Sequence, residues 1–599
     1  MTRAKTREVA ATTPVKCTID IRESSNIHND FFKSLTGYEN TEDLISLLPA
    51  ILQPKYRNKL CTIDTGYNLL SWKSTSLVSG EGILRVKELG DKDISVYEKK
   101  IPLIDPFHWM KYNERPVSPF SWRTQNSNVL HPENQAYIDA LGSSLVSKLS
   151  LLYNSPHFCK VYGCFRTVVK NFKYNLHEDL EDVRFTNWFW DALEANEFKV
   201  QVVEKRSCKF LTIDEIKENL KPDDEFLEDS DSDDSEESEE SENSGESDSE
   251  ESGESDSEES EESEESEDLD AEILLPENTT EKMKSTDLTE IEEFSFDNKS
   301  VDSEPLIIKK KPSKAKSDST DASDTSFSDE YDIHAELPGM PVVILYSEKC
   351  EGTMDELLSD SEYVPIDSRE KELRWTSWLF QVIAALCQLQ GGLRLTHNDL
   401  HTNNVLWKKT DQEFLYYKDS LDRSWKIPTY GRIFTIIDFG RAIFSINNFY
   451  CISSDYQDGN NAAGQYNFGP LEDHDEPKIL PNKSFDLCRL SSSLLRGLFP
   501  TNPSPKPNGK VITKEGLWEV KETEYSLFNI LWAWLKNDKG ANILETQSGR
   551  EKHPGFDLYI EIAHNVHGAI PALQLNNPAI KGFLTPSIPK EVKPIIIPL

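Results

Sequence analysis

The stretch from Asp223 to Asp270 limits the fold of this 599-residue chain more than any other, because it cannot enter a core. It holds 28 acidic residues, no lysine and no arginine, with serine filling most of the gaps. A segment of that kind repels itself and has too little apolar surface to offset the entropy of ordering, so it is expected to stay without structure. Low-complexity composition extends around it, from about Glu204 to Glu336. Any folded body must be assembled from the flanks, with the insert leaving and re-entering at a surface turn. Closure entropy grows only logarithmically with length, so such an insertion is tolerated. The tract reads as a solvated tether, as a phosphorylation tract whose serines have acids just downstream, or as a polyanion mimic that attracts basic proteins. A short basic cluster follows it, Lys309 to Lys316. It reads as an electrostatic partner for the acids or as a nuclear-localisation signal.

The formal charge of −40 is mostly this tract, and without its acids the rest of the chain carries −12. A moderately acidic folded part argues against direct nucleic-acid binding, which needs a basic footprint. Nine cysteines are scattered with no C-x-x-C pair, and Cys159 and Cys164 lack the further ligands of a zinc motif. Reduced thiols are expected, as in a reducing compartment. The N-terminus has no apolar signal-like core, and no run approaches the roughly 20 apolar residues that cross a bilayer. A soluble intracellular protein without membrane contact is the expectation.

Two stretches carry candidate chemistry. The first is THNDLHTNNVLW, Thr396 to Trp407; the second is IFTIIDFGRA, Ile433 to Ala442, a β-branched run broken by Asp438-Phe439-Gly440. A pattern H-x-D-L-x-x-x-N followed by D-F-G resembles the catalytic loop and metal loop of protein kinases. Phosphoryl transfer needs positioning and charge neutralisation more than covalent help. The resemblance makes Asp399 the carboxylate facing the acceptor hydroxyl, and Asn404 and Asp438 the oxygen ligands of Mg²⁺ on ATP. Gly440 is expected to supply a sharp turn behind the metal ligand.

Two departures narrow the resemblance. His401, a second catalytic candidate beside Asp399, stands where most protein kinases carry the Lys that neutralises the migrating phosphoryl group, and small-molecule phosphotransferases of the aminoglycoside and choline kinase types often carry His. The interval from Asp399 to Asp438 is about twice the usual one, and Lys408 to Phe434 reads as a strand, a polar turn around Lys418 to Ser424 and a returning strand. Together, DLH, NVLWKKT, the long hairpin and IIDFG resemble haspin-type kinases and the serine/threonine kinases of large nucleocytoplasmic DNA viruses. The resemblance implies an α+β, bilobal protein-kinase-like fold with a β-rich N-lobe, a mainly helical C-lobe and the disordered acidic insert in the N-lobe. It divides the chain into a tail with short helices (1–59), the first part of the N-lobe (60–203), the insert (204–336), the lobe end and hinge (337–352), the C-lobe (353–580) and a Pro-rich tail (581–599). The implied location is the host cytoplasm or the virion, with the nucleus open to it through the basic cluster.

The remaining site residues follow from the same resemblance. Gly80 and Gly82 take the places of a glycine-rich loop over the ATP phosphates, although Arg85 stands where a third glycine is expected. VYEKK aligns with the strand bearing the ATP-pairing lysine and selects Lys99, with Lys100 on the opposite strand face as the alternative. Glu133 to Tyr153 places Tyr137, Leu141, Leu145, Leu149 and Leu152 on one helical stripe, the helix expected to carry that lysine's acidic partner. Family spacing lands on Val146, which cannot pair; Glu133 and Asp139 are the nearby acids, and the partner stays unassigned. HFCKVYGCFRTVV reads as a strand pair. The apolar run Val342 to Tyr346 reads as a buried strand that leads into a hinge, with Ser347 as gatekeeper and backbone at Glu348 to Cys350 facing adenine. RWTSWLFQVIAALCQLQ is a helix with Trp375, Leu379, Val382, Ile383 and Leu386 inward, and Asp486 is the buried acid expected to tie down the catalytic loop. The function implied is transfer of the ATP γ-phosphate to protein Ser/Thr hydroxyls. A small-molecule phosphotransferase, favoured by DLH, and a pseudokinase scaffold, favoured by the degraded glycine loop, stand as alternatives.

Overall fold

The computed structural model describes residues 21–23, 29–43, 61–63, 65–75, 80–112, 129, 131–176, 180–204, 209–222, 331–446, 449–471, 478–507, 510–512, 518–520, 522–546 and 550–599. The acidic tract, the basic cluster, the first 20 residues and residues 44–60, where Leu44, Leu47, Leu48 and Leu52 at helical spacing suggest a short helix, lie outside the described residues. The molecule is α+β, with an antiparallel sheet built from the N-terminal part of the chain and most of the long helices later.

Eight strands make the sheet: β1 Tyr38–Asp43, β2 Leu69–Ser74, β3 Glu81–Val86, β4 Lys92–Pro102, β5 Val161–Asn175, β6 Lys199–Glu204, β7 Lys209–Phe210 and β8 Tyr331–Glu348. The order is β1-β5-β8-β4-β3-β2, with β6 joined to the far end of β8 and to β7. Strand β8 is central because its sequence demands it. Val342 to Tyr346 is continuously apolar and buried, as suits a strand covered on both faces. Its register sets Leu345 opposite Lys99 on β4 and opposite Cys164 on β5.

Several expectations change here. The segment expected to be two strands after Pro156 is one long strand, β5, whose run of buried residues pairs with β1 and β8. The low-complexity region is ordered at both of its edges. Lys209–Phe210 pairs with β6, Ile213–Leu220 is a helix with a Thr212–Glu215 capping box, and Tyr331 to Glu336 belongs to β8. Composition misses these edges because a capped helix and an edge strand tolerate the same polar residues as a linker.

Helix α1, Gln135–Leu152, starts at Asn134, whose side chain accepts the Ala136 N–H at 3.0 Å. It packs against β5, β8 and the following helix. Tyr137, Leu141, Leu145 and Leu149 are buried as expected, while Leu152 at the frayed end is exposed. Helix α2, Arg369–Leu393, is capped by Ser368 and ends at Arg394 in the left-handed region. The five residues expected to face inward are all buried. The helix is enclosed on nearly all sides, which explains why its apolar pattern runs almost without interruption.

Short strands β9 Gly352–Thr353, β10 Val405–Lys409, β11 Phe414–Asp419, β12 Ser424–Pro428 and β13 Arg432–Ile436 follow. The long hairpin expected between Lys408 and Phe434 exists, and its two arms split between two sheets. β10 pairs with β13, and β11 with β12. The Pro-rich end is not a free tail: β14, Ile595–Ile597, pairs parallel to β11, and Ile595 and Ile597 are buried. Helices α3 Phe485–Leu498, α4 Ser526–Trp534 and α5 Asp557–Asn565 complete the part that frames the site. Buried apolar side chains of the sheet and the helices form one cluster. No helix among the described residues is long and apolar enough to cross a membrane.

Candidate active site

The geometry begins at Lys99 on β4. Its Nζ lies 2.6 Å from Asp139 Oδ2 and 2.9 Å from Asp438 Oδ1. Lys100 points to the other face, 3.3 Å from Glu98 and away from this cluster, as strand alternation requires. The partner that spacing left unassigned is therefore Asp139. It precedes Val146 by seven residues, about two turns of α1 and so the same helix face. Val146 itself is buried in the core. Burial works to lower the Lys99 pKa, and the Asp139 and Asp438 carboxylates outweigh it and raise it. For Asp438 the order is similar: burial pushes its carboxyl up, and Lys99 more than reverses this, leaving it below the ordinary range.

Asp139 also fixes the segment after Asp438. Its Oδ1 accepts the Phe439 N–H at 2.9 Å and the Ser143 hydroxyl at 3.1 Å. Phe439 is buried against Gly142 of α1, where a Cβ would come within 2.8 Å of the Phe439 Cβ. The sharp turn is made by Asp438 itself, at φ +68°. Gly440 is not in the left-handed region, contrary to expectation; a Cβ there would press on the Gln135 side chain at 2.9 Å. A left-handed non-glycine residue costs about 1–3 kcal/mol and persists only where its surroundings hold it. Here the holders are Lys99 and Asp139.

The loop from His397 to Asn404 is anchored from below. Asp486, in the first turn of α3 and fully buried, accepts the His397 N–H at 3.0 Å and the Asn398 N–H at 3.0 Å. Burial raises the Asp486 pKa, with His397 and these two N–H groups opposing it. His397 donates from Nε2 to the Ile437 carbonyl at 2.8 Å and accepts the Asp399 N–H at Nδ1, 3.3 Å away, so its tautomer follows from its contacts.

Asn404 uses both amide hydrogens, one to the Asp399 carbonyl at 2.9 Å and one to His401 Nε2 at 3.1 Å. Its Oδ1 has no hydrogen-bond partner among the described residues, and the Ile437 N–H bonds its backbone carbonyl at 3.1 Å, next to Asp438. An amide oxygen and a carboxylate are the hard oxygen donors that suit Mg²⁺. His401 Nε2, as an acceptor, is unprotonated. Burial lowers the His401 pKa, against the pull of Asp399, whose Oδ2 is 4.0 Å away.

Asp399 has a partner that sequence reasoning missed. Tyr559 of α5 donates its hydroxyl to Asp399 Oδ1 at 2.6 Å and accepts Arg489 Nε of α3 at 3.0 Å. Burial, then the Asp399 charge, raises the Tyr559 pKa. Nothing local in GFDLYIEIAHNV marks this tyrosine, because its role depends on how α5 packs on α3. Two further tyrosines order the segment after Asp438, one by docking it onto the loop and one by a bond within the segment. Tyr466 donates to Asn398 Oδ1 and Tyr456 to the Arg441 carbonyl, both at 2.7 Å.

A cavity of about 470 Å³ opens beside Lys99, within the usual range for small-molecule sites. Val161, Leu345, Leu406 and Ile436 give it apolar walls; Ser347, Glu348 and Cys350 form one edge, and Asp139 and Asp438 lie at its polar end. The Glu348 N–H is taken by the Lys160 carbonyl at 2.9 Å and its carboxylate by Lys408 at 3.1 Å. The Cys350 N–H has no partner among the described residues. Gly80 directly precedes β3, Gly82 lies within it, and neither lines the cavity; Glu81 between them does, in an ion pair with Lys349 at 2.7 Å. Gly82 is explained by packing, because a Cβ there would collide with the Trp72 ring. Gly80, at φ +65°, would meet the Glu98 carbonyl at 2.6 Å.

No protein-family model matches the chain, and no curated protein matches it in sequence.

Proposed function

We propose that the chain is an ATP- and Mg²⁺-dependent serine/threonine protein kinase with a bilobal fold, akin to the kinases of large nucleocytoplasmic DNA viruses and to haspin-type kinases. The observation that carries the reading is the Lys99 bridge between Asp139 and Asp438, set beside a loop that presents Asp399 and the Asn404 amide oxygen. Sequence pattern alone draws together Lys99, Asp399, Asn404 and Asp438; of the two candidate acids Glu133 and Asp139, only the geometry selects Asp139.

In this reading adenine occupies the apolar cavity, with the Cys350 N–H as a donor at its edge. Lys99 neutralises the α/β-phosphates, and Asn404 Oδ1 and Asp438 hold the metal, which when bound would neutralise charge on the phosphates. Asp399 orients the acceptor hydroxyl and takes its proton as the oxygen forms its bond to the γ-phosphorus and ADP leaves. Tyr559 and Arg489 hold that carboxylate in place. His401 supports Asn404 and carries no charge to the phosphoryl group.

The test is incubation of the purified chain with labelled ATP and a mixed panel of proteins and small alcohols, beside Asp399→Asn and Asp438→Ala. Label is expected on protein serine or threonine with the wild type and on nothing with either variant. Mg·ATP at about 100 times its Kd should stabilise the wild type by about 2.7 kcal/mol. The same shift in Asp438→Ala would remove Asp438 from the metal site. Label on small alcohols alone would overturn the protein-kinase assignment.

A further inference from the structure

Cys159 and Cys350 meet at the edge of the cavity, with their Sγ atoms 3.8 Å apart. Cys159 stands just before β5 and Cys350 just after β8. The two strands are antiparallel neighbours whose last rungs are Val161 with Ser347 and the Glu348 N–H on the Lys160 carbonyl. The two sulfurs are already in contact, and a disulfide needs them to close to about 2.05 Å.

Exposure separates this pair from the other cysteines whose side chains are described. Cys164, Cys387, Cys451 and Cys488 are buried, whereas Cys159 and Cys350 are partly exposed and both line the cavity. Burial pushes the Cys387 and Cys451 thiols up to about 12, out of reach of thiolate chemistry near neutrality. The Cys159 thiol beside it holds Cys350 below its ordinary value against burial, and the Lys408 ammonium adds to this. Cys159 is pushed the other way by the same contact. The contact lets one sulfur of the pair ionise while its neighbour keeps the proton, and the Lys408 ammonium favours the charged form at both.

We propose that Cys159 and Cys350 form a peroxide-reactive dithiol site whose oxidation to a disulfide closes the cavity to nucleotide. The second half of this rests on the nucleotide reading of the cavity. The Cys350 thiolate attacks a hydroperoxide; the S–O bond forms, the O–O bond breaks, and the departing oxygen leaves as water or alcohol after taking up a proton. The Cys159 sulfur then attacks the resulting sulfenic acid. The S–S bond forms, the S–O bond breaks, and hydroxide leaves as water with the Cys159 proton. Two thiols and one hydroperoxide give one disulfide, one water and one further water or alcohol, with the sulfurs oxidised and the peroxide reduced. The sulfurs must approach from 3.8 Å to about 2.05 Å, which draws Cys350 and its unpartnered N–H toward β5. That N–H is the donor offered to the base, so its displacement weakens binding.

The experiment treats the reduced full chain with graded hydrogen peroxide and reads two quantities. Peptide mapping without reductant should show the Cys159 and Cys350 peptides joined and lighter by two hydrogens than the separate pair. Affinity for a fluorescent ATP analogue should fall at least about tenfold and return on reduction with dithiothreitol. Excess Mg·ATP should slow the linkage by covering the thiols. Cys159→Ser should bind the analogue equally before and after peroxide. A chain that binds ATP but forms no linked peptide, or that forms it with affinity unchanged, overturns the inference. If the reduced chain binds no nucleotide, the functional reading and the closure fail together, while the linked peptide still establishes the dithiol site.

Discussion

Asp139 offers the sharpest test of the site, because one carboxylate holds three elements at once. It is nearly fully buried, and it accepts from Lys99 at 2.6 Å, from Ser143 at 3.1 Å and from the Phe439 N–H at 2.9 Å. Asp139→Ala removes all three. Hydrogen bonds to a charged group contribute about 1.5–3 kcal/mol each, and breaking a buried ion pair costs about 3–5 kcal/mol. Lys99 is partly exposed and keeps Asp438 as a partner, so the lower end applies, about 3 kcal/mol or roughly 100-fold in the folding equilibrium. Asp139→Asn keeps an oxygen for Phe439 and loses the charge, so it should cost about half as much. The assay is urea unfolding with the slope unchanged and the midpoint lowered. Leu151→Ala, on an exposed position of the same helix, is the control and should stay within about 0.5 kcal/mol. A Lys99→Met and Asp139→Asn cycle should show coupling of about 1–3 kcal/mol. Phosphoryl transfer should fall about 10- to 100-fold in Asp139→Asn, as Phe439 stays docked while Lys99 loses its orientation. An Asp139→Ala cost no larger than the control, or zero coupling with Lys99, would refute the reasoning.

Three further outcomes follow from the same contacts. Burial lowers the His401 pKa, so the ring is neutral at pH 7 and above, and rate measurements should show no loss of activity from His401 as pH rises from about 7 to 8.5. His401→Lys should lower activity about tenfold at every pH, since an ammonium would face the Asn404 N–H; a wild-type decline near neutrality that this variant abolishes would contradict it. His157, buried between the Phe434 carbonyl and the Tyr417 hydroxyl, has its pKa pushed down to about 4, chiefly by burial. Its contribution is present above the unfolded value of about 6.5 and is lost as pH falls toward 4, by about 3 kcal/mol, so His157→Gln should flatten urea midpoints over that window. Tyr559→Phe should lower kcat about tenfold and leave the KM for ATP unchanged, because the hydroxyl touches Asp399 and not the cavity; a rise in KM alone would place Tyr559 elsewhere.

The parts of this fold that were legible in sequence are those carried by local pattern. β8 and α2 stand out because their apolar runs are long, and the hairpin from Lys408 to Phe434 because turn residues separate its arms. Asp399 and Asn404 are legible as candidates because they stand five residues apart in one loop, and Asp438 because an apolar strand runs into it. What was missed is set by packing between distant segments. Asp139 stays one of two candidate acids on spacing alone, because family spacing lands on Val146 and two turns of helix separate that position from the acid that faces Lys99. Gly82 reads as a phosphate loop until Trp72 is seen to occupy its face. The Pro-rich end reads as a tail because three isoleucines signal a strand only when a partner such as β11 is known.

The two buried carboxylates explain how the site can keep its shape without a glycine-rich clamp. Asp486 takes the backbone N–H groups of the loop that carries Asp399, and Asp139 takes the backbone N–H that follows Asp438. Each loop is therefore fixed by its main chain, which leaves the side chains of Asp399, Asn404 and Asp438 to present their oxygens. The two anchors are joined through neighbouring contacts, His397 on the Ile437 carbonyl and the Ile437 N–H on the Asn404 carbonyl. Such a frame is preorganised, so positioning does not have to be supplied by binding. Gly80 and Gly82 add nothing to it, which is why the third glycine can be Arg85: that residue faces solvent and pairs with Asp93 at 2.8 Å. The loss of the glycine pattern thus reflects how β2 and β3 pack, and it does not weigh against chemistry at Asp399.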